Sequence, residues 1–203
     1  MTELHRALSE INAIRGQIAR GAQFRGYGPA TLSATGVLAV LAAAAQAYWV
    51  SSPERDMTTY LSIWVATAVL SLAVIGIETV TRTRRVHVGL ARHMIHAAFE
   101  QFLPPIVAGL LLTAVLWRCA PGNLWMLPGL WQIVFGLGVF ASCRFLPRPM
   151  FVVGLWYLSA GLMCLALGPQ RALSPWAMGA PFGVGQLLVA GVLQLDYYRQ
   201  ADE

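Results

Sequence analysis

Six long stretches without a charged side chain dominate this sequence. They cover residues 26–53, 57–77, 101–117, 119–143, 149–170 and 172–195. A bilayer core about 30 Å thick needs roughly 20 helical residues to cross it, so each stretch is about as long as one transmembrane span. Only 11% of the residues are charged, less than half the roughly 25% of an average soluble domain. The composition excludes a soluble globular enzyme, a disordered tail and a collagen-like fibre, and it predicts a multi-pass membrane protein.

We expect an all-α integral membrane protein with six transmembrane helices. The expected spans are 29–50, 58–78, 96–117, 123–143, 149–168 and 176–195. Together they form one transmembrane domain over 29–203. Within that domain, a basic cytoplasmic helix over 79–95 extends the second span.

Residues 1–28 precede the first span and are expected to form an amphipathic helix and a turn. Between residues 2 and 22, the apolar side chains fall within an arc of about 120° on a helical wheel: Leu4, Ala7, Leu8, Ile11, Ile14 and Ile18. A helix of this kind lies along lipid headgroups or packs on a partner. Two roles stay open, an anchor on the membrane surface and a docking site for another protein.

The arginines predict the orientation of the spans. All 14 basic residues are arginine, and with a cytoplasmic N-terminus only Arg55, Arg118 and Arg171 lie outside. Such a bias predicts that both termini are cytoplasmic, in a bacterial inner membrane. Tyrosine and tryptophan mark the predicted outer ends of spans as an aromatic belt: Tyr48, Trp49, Trp117, Trp125 and Trp176. The arginines follow apolar segments rather than forming one patch, so no direct nucleic-acid binding is expected.

The segment 78–100 contains most of the candidate site. As a helix, it gathers its polar groups into an arc of about 100°, formed by Glu78, Arg82, Arg85, Arg92, His93, His96 and Glu100. The third uncharged stretch is the shortest, with 17 residues, so a full crossing draws Glu100 toward the hydrocarbon edge. A carboxylate there must be protonated, paired or open to a polar cavity.

Three interpretations of this segment stay open. It is a network of ion pairs that sets helix depth, or a pocket whose arginines bind an anionic ligand or lipid headgroup. The third is a haem or metal site on His93, His96 and Glu100, which share one face. One helix cannot supply a full ligand set, and no cofactor is predicted.

Polar residues inside the spans are few. Gln132 lies nearest a span centre and is a candidate cavity-lining residue, while Gln46, Gln186 and Gln194 are typical of interhelical hydrogen bonding. The sixth stretch is rich in proline and glycine, which either break the helix and free carbonyl groups or reflect the frequency of both residues in membrane helices. Small residues four apart, such as Gly179 and Gly183, favour close helix packing.

From Ile14 the chain reads IRGQIARGAQFRGYGP and continues into a span rich in Gly, Ala and Leu up to Gln46. This first quarter resembles an uncharacterised group of small bacterial inner-membrane proteins. Their genes tend to lie beside winged-helix transcription regulators, so the resemblance implies a regulatory or accessory role. It implies no functional residues.

The leading hypothesis is a non-enzymatic sensory, regulatory or accessory membrane protein. Its cytoplasmic face would bind a partner protein or anionic lipid, and its core would have room for a hydrophobic ligand. The alternative is a small transporter or channel, acting as a homodimer, that uses Glu100, Gln132 and a broken sixth span. A haem- or metal-binding protein is the third hypothesis. The sequence contains no nucleophile elbow, HExxH or P-loop motif, and no enzyme is predicted.

Overall fold

The protein is all-helical over the residues that its computed structural model describes. These are 28–86, 88–143, 146–147 and 149–201, apart from the side chains of 82–102, 197 and 199–201. The expected amphipathic helix over 1–28 therefore lies almost wholly outside the described residues. In chain order the helices are α1 (Pro29–Trp49), α2 (Met57–Val86), α3 (Val88–Cys119), a 3-10 helix (Pro121–Met126), α4 (Leu127–Ser142), α5 (Met150–Ala166), α6 (Pro169–Ala172) and α7 (Pro175–Ala201).

Four segments of the described chain are long and apolar enough to cross a membrane. They are Pro29–Trp49, Met57–Thr81, Pro121–Ser142 and Pro175–Asp196. Two shorter apolar helices, Leu103–Cys119 and Met150–Ala166, accompany them. The prediction of a helical membrane protein is confirmed at this level.

The long helices contact one another in a closed order. Each of α1 to α5 packs on the next, α5 also packs on α7, and α7 packs extensively on α1. Three turns lie at one end of this bundle, namely 50–56, 120–126 and 167–174. The third turn contains α6, which contacts the 3-10 helix of the second turn. Residues of the first and third turns line one cavity. The start of α1 and the region near Glu78 of α2 lie at the opposite end.

Glycines set the distance between α4 and α5. A Cβ atom on Gly161 would lie 2.6 Å from the carbonyl oxygen of Gly129, and one on Gly136 would lie 3.1 Å from the carbonyl oxygen of Gly154. The two pairs are seven residues apart on each helix, about two turns. The backbones of the antiparallel helices therefore touch at two levels, as small-residue packing in membranes allows.

The contact between α1 and α7 also depends on glycines that let the helices approach closely. A Cβ atom on Gly179 would lie 2.5 Å from the Cβ of Ala43, and one on Gly183 would lie 3.0 Å from a methyl group of Val40. The close packing predicted for Gly179 and Gly183 is thus present.

Prolines are accommodated within two helices. α3 continues through Pro104 and Pro105, and α7 through Pro181. Gly138 of α4 makes room for Pro105, since a Cβ atom on Gly138 would lie 2.8 Å from the proline ring. The helix of the sixth stretch is continuous from Pro175 to Ala201, so the interpretation that its prolines and glycines break the helix is wrong.

The outward faces of the bundle are apolar. Exposed leucine and valine side chains run along α2, α3 and α5, and lipid tails are the solvent that suits them. At the end formed by the three turns, Tyr48, Trp49, Trp117 and Trp176 are exposed. Trp125 is instead half-buried against the core.

Gly161→Ala is expected to destabilise the protein by about 1–3 kcal/mol, because its methyl group meets backbone of α4 that cannot rotate away. Thermal unfolding of the purified protein, followed by tryptophan fluorescence in detergent, measures the effect. Gly191→Ala is the matched control, since a Cβ atom there meets nothing within 4 Å. A control that lowers the midpoint as far as Gly161→Ala does would contradict this account of the packing.

Candidate functional site

The start of α1 is held by an acid from α2. The N–H of Gly28 donates to Oε2 of Glu78 at 3.2 Å. Gly28 precedes the first residue of α1, and a carboxylate is favourable there because helix N-termini carry partial positive charge. Glu78 thus has a defined structural role, which the sequence analysis missed when it grouped Glu78 with the arginine stripe.

The predicted site residues of segment 78–100 are distributed over two helices. Arg82 and Arg85 belong to α2, and Arg92, His93, His96 and Glu100 belong to α3. The side chains of all six lie outside the described residues, so their convergence stays a prediction. Among the residues whose side chains are described, no group of three histidine, cysteine, aspartate or glutamate residues is placed to hold a metal ion.

Gln132, the remaining candidate, is fully buried in α4. Its Nε2 donates to the carbonyl oxygen of Ala177 at 2.9 Å. That carbonyl would ordinarily accept from residue 181 of the same helix, but Pro181 has no N–H. A side chain of α4 therefore supplies the hydrogen bond that the proline removes from α7. This confirms the freed carbonyl group expected in the sixth stretch, whereas a cavity-lining role for Gln132 stays a prediction.

A second buried amide joins three parts of the chain. Gln46 of α1 donates from Nε2 to the carbonyl oxygen of Leu173 at 2.8 Å, and its Oε1 accepts from Nε1 of Trp64 at 2.8 Å. Both polar ends of the amide are satisfied, at zero exposure. The bonds tie α1 to α2 and to the turn before α7, which is the interhelical role predicted for this residue.

Four buried polar atoms in the described part of the chain have no hydrogen-bond partner. They are the hydroxyl oxygens of Tyr60 and Tyr157 and the Oε1 atoms of Gln132 and Gln186. The Tyr157 ring packs edge-on against Phe135 and tilted against Phe182, with ring centroids 4.7 and 5.2 Å away, and its hydroxyl occupies the space that a Cβ atom on Gly185 would fill. The centre of the bundle is thus apolar packing that encloses a few isolated polar atoms.

No family model matches this chain, and no curated protein or solved structure is significantly similar to it.

Gln132→Met is expected to cost more stability in the natural sequence than in a Pro181→Ala background. With alanine at 181, the helix itself donates to the Ala177 carbonyl, so loss of the glutamine amide leaves nothing unpaired. The coupling should be about 1 kcal/mol, between the average of about 0.6 and the maximum of about 1.7 kcal/mol for interhelical hydrogen bonds in membranes.

A double-mutant cycle of thermal unfolding in detergent measures this coupling. The unpartnered Oε1 of Gln132 is removed in both backgrounds, so its contribution cancels. Gln194→Met, at an exposed position of α7, is the control. Equal costs of Gln132→Met in the two backgrounds would show that the amide does not replace the missing N–H.

Proposed function

We propose that the protein is a non-enzymatic regulatory or accessory protein of a bacterial inner membrane. In this proposal it crosses the bilayer six times with both termini in the cytoplasm, and it binds anionic lipid or a partner protein through arginines at its cytoplasmic face. Leu103–Cys119 and Met150–Ala166, the shorter apolar helices, supply the two spans beyond the four long ones.

The hydrogen bond between Gly28 and Glu78 carries this proposal. Arg82 follows Glu78 by four residues on α2, about one helical turn. The contact of 3.2 Å therefore supports placing two points on the same side of the membrane. One is the point where residues 1–27 join α1, and the other is the point on α2 where the arginines begin. An amphipathic segment and a basic segment on one face are the combination that peripheral recognition uses.

The charge distribution supports the same face. Among the residues with described side chains, the exposed arginines of the other end lie in three separate elements: Arg55 in the turn after α1, Arg118 in α3 and Arg171 in α6. Residues 82–92 instead contain four arginines in 11 positions. Each basic residue near an anionic surface contributes about 1 kcal/mol of attraction, so closely spaced arginines bind where isolated ones do not.

Replacing Arg82, Arg85 and Arg92 together with glutamine should remove most of the anionic lipid or partner that co-purifies with the protein. Three lost charges correspond to roughly 3 kcal/mol of attraction, a factor of more than about 100 in affinity. Phosphatidylglycerol per protein, quantified by mass spectrometry after detergent purification, reports the lipid, and affinity purification reports the partner.

The matched control replaces Arg55, Arg118 and Arg171 with glutamine, which removes the same charge from the other end. The test variant keeps eight arginines on the predicted inner side, so its orientation should hold. Loss of phosphatidylglycerol or of a protein partner in the test variant alone supports the proposal. Unchanged recovery of both would contradict it.

A further inference from the structure

We propose that the end of the bundle opposite Glu78 binds a small zwitterion in which a phosphate and an ammonium group are joined by a short linker. A cavity of about 660 Å³ lies there, between the turn after α1 and the turn before α7. This volume is within the roughly 300–1,000 Å³ of small-molecule sites. The cavity is separate from the arginine face, so this proposal goes beyond the proposed function.

The floor of the cavity is apolar and fixed. Val50 and Leu173 line it and are 5% and 2% exposed. The carbonyl oxygen of Leu173 accepts from Gln46, which in turn accepts from Trp64. A floor held by buried hydrogen bonds loses little entropy when a ligand binds, which favours affinity.

The rim of the cavity carries charge of both signs. Glu54 and Arg55 line it and are exposed. Their turn is fixed by main-chain bonds, in which the N–H groups of Arg55 and Asp56 donate to the carbonyl oxygen of Ser52 at 2.9 and 3.0 Å. No ion pair of Glu54 or Arg55 is seen among the described residues. The rim therefore offers a guanidinium to an anionic group and a carboxylate to a cationic one.

The two helix ends at the cavity also carry partial charges of opposite sign. Val50 follows the last residue of α1, whose C-terminal end is partially negative, while Ser174 and Pro175 lead into α7, whose N-terminal end is partially positive. A phosphate suits the start of α7 and the guanidinium fork of Arg55. An ammonium group suits Glu54 and the end of α1. Gln170 and the serine hydroxyls of the rim add neutral donors and acceptors.

An exposed tryptophan is the sequence neighbour of a lining residue on each side of the cavity. Trp49 precedes Val50 and is 67% exposed, and Trp176 follows Pro175 and is 59% exposed. Tryptophan at such positions is typical of the depth of lipid headgroups. The zwitterion has two sources at that depth, the phosphoethanolamine headgroup of a membrane lipid and a free glycerophosphodiester of ethanolamine in the surrounding water.

Calorimetric titration of the full-length protein with glycerophosphoethanolamine, in nanodiscs of phosphatidylglycerol, whose headgroup has no ammonium group, tests the free source. Phosphatidylethanolamine retained after purification, quantified by mass spectrometry, tests the lipid source. We expect saturable binding or selective retention that Arg55→Gln and Glu54→Gln each weaken by roughly tenfold or more, as loss of a charge-assisted hydrogen bond should.

Matched controls are Arg118→Gln and Asp56→Asn, which remove the same charges from exposed positions outside the cavity lining. Both should bind within about twofold of the natural protein, as should the variant lacking Arg82, Arg85 and Arg92, which separates this site from the arginine face. Glycerol 3-phosphate, which has no ammonium group, should bind at least about tenfold more weakly. The proposal is overturned by absence of both binding and retention, by equal affinity for glycerol 3-phosphate, or by equal losses in the controls.

Discussion

Close approach of helix backbones is the interaction on which the rest of this structure depends. In lipid, apolar side chains gain little from leaving their solvent, so helices associate through tight packing and hydrogen bonds. Glycine provides the packing at both main interfaces, with Gly129 and Gly161 between α4 and α5 and Gly179 against Ala43 between α1 and α7. Larger side chains at these positions would force the helices of each pair apart.

The buried amides join elements beyond these two glycine-packed pairs. Gln132 of α4 donates to the Ala177 carbonyl of α7, and the bond replaces the one that Pro181 removes. Gln46 donates to the Leu173 carbonyl at the end where the cavity lies, and this bond fixes Leu173 beneath the charged rim. At the opposite end Glu78 fixes the start of α1. Both ends of α1 are thus attached to residues next to a proposed binding site, Glu78 near the arginines and Leu173 in the cavity lining.

Much of the fold could be predicted from the sequence, because the bilayer imposes length and polarity on each helix. The expected span 29–50 corresponds to Pro29–Trp49, and 149–168 to Met150–Ala166. The partners of the in-span amides could not be predicted, since Gln46 binds a carbonyl 127 positions away and backbone carbonyls leave no trace in a sequence. The cavity was missed for a similar reason, because tertiary packing alone brings Glu54 and Gln170 to the lining of one cavity. The predicted cluster of His93, His96 and Glu100 stays a prediction.

Labelling of the native cysteines tests the membrane arrangement most directly. Cys119 is exposed at the end of α3 and Cys143 follows α4, so a bilayer around six spans separates them. In intact cells, a membrane-impermeant maleimide should label a variant that keeps only Cys119 and should spare one that keeps only Cys143 until the membrane is permeabilised. Labelling of Cys143 but not Cys119 in intact cells, or equal labelling of both, would contradict the arrangement.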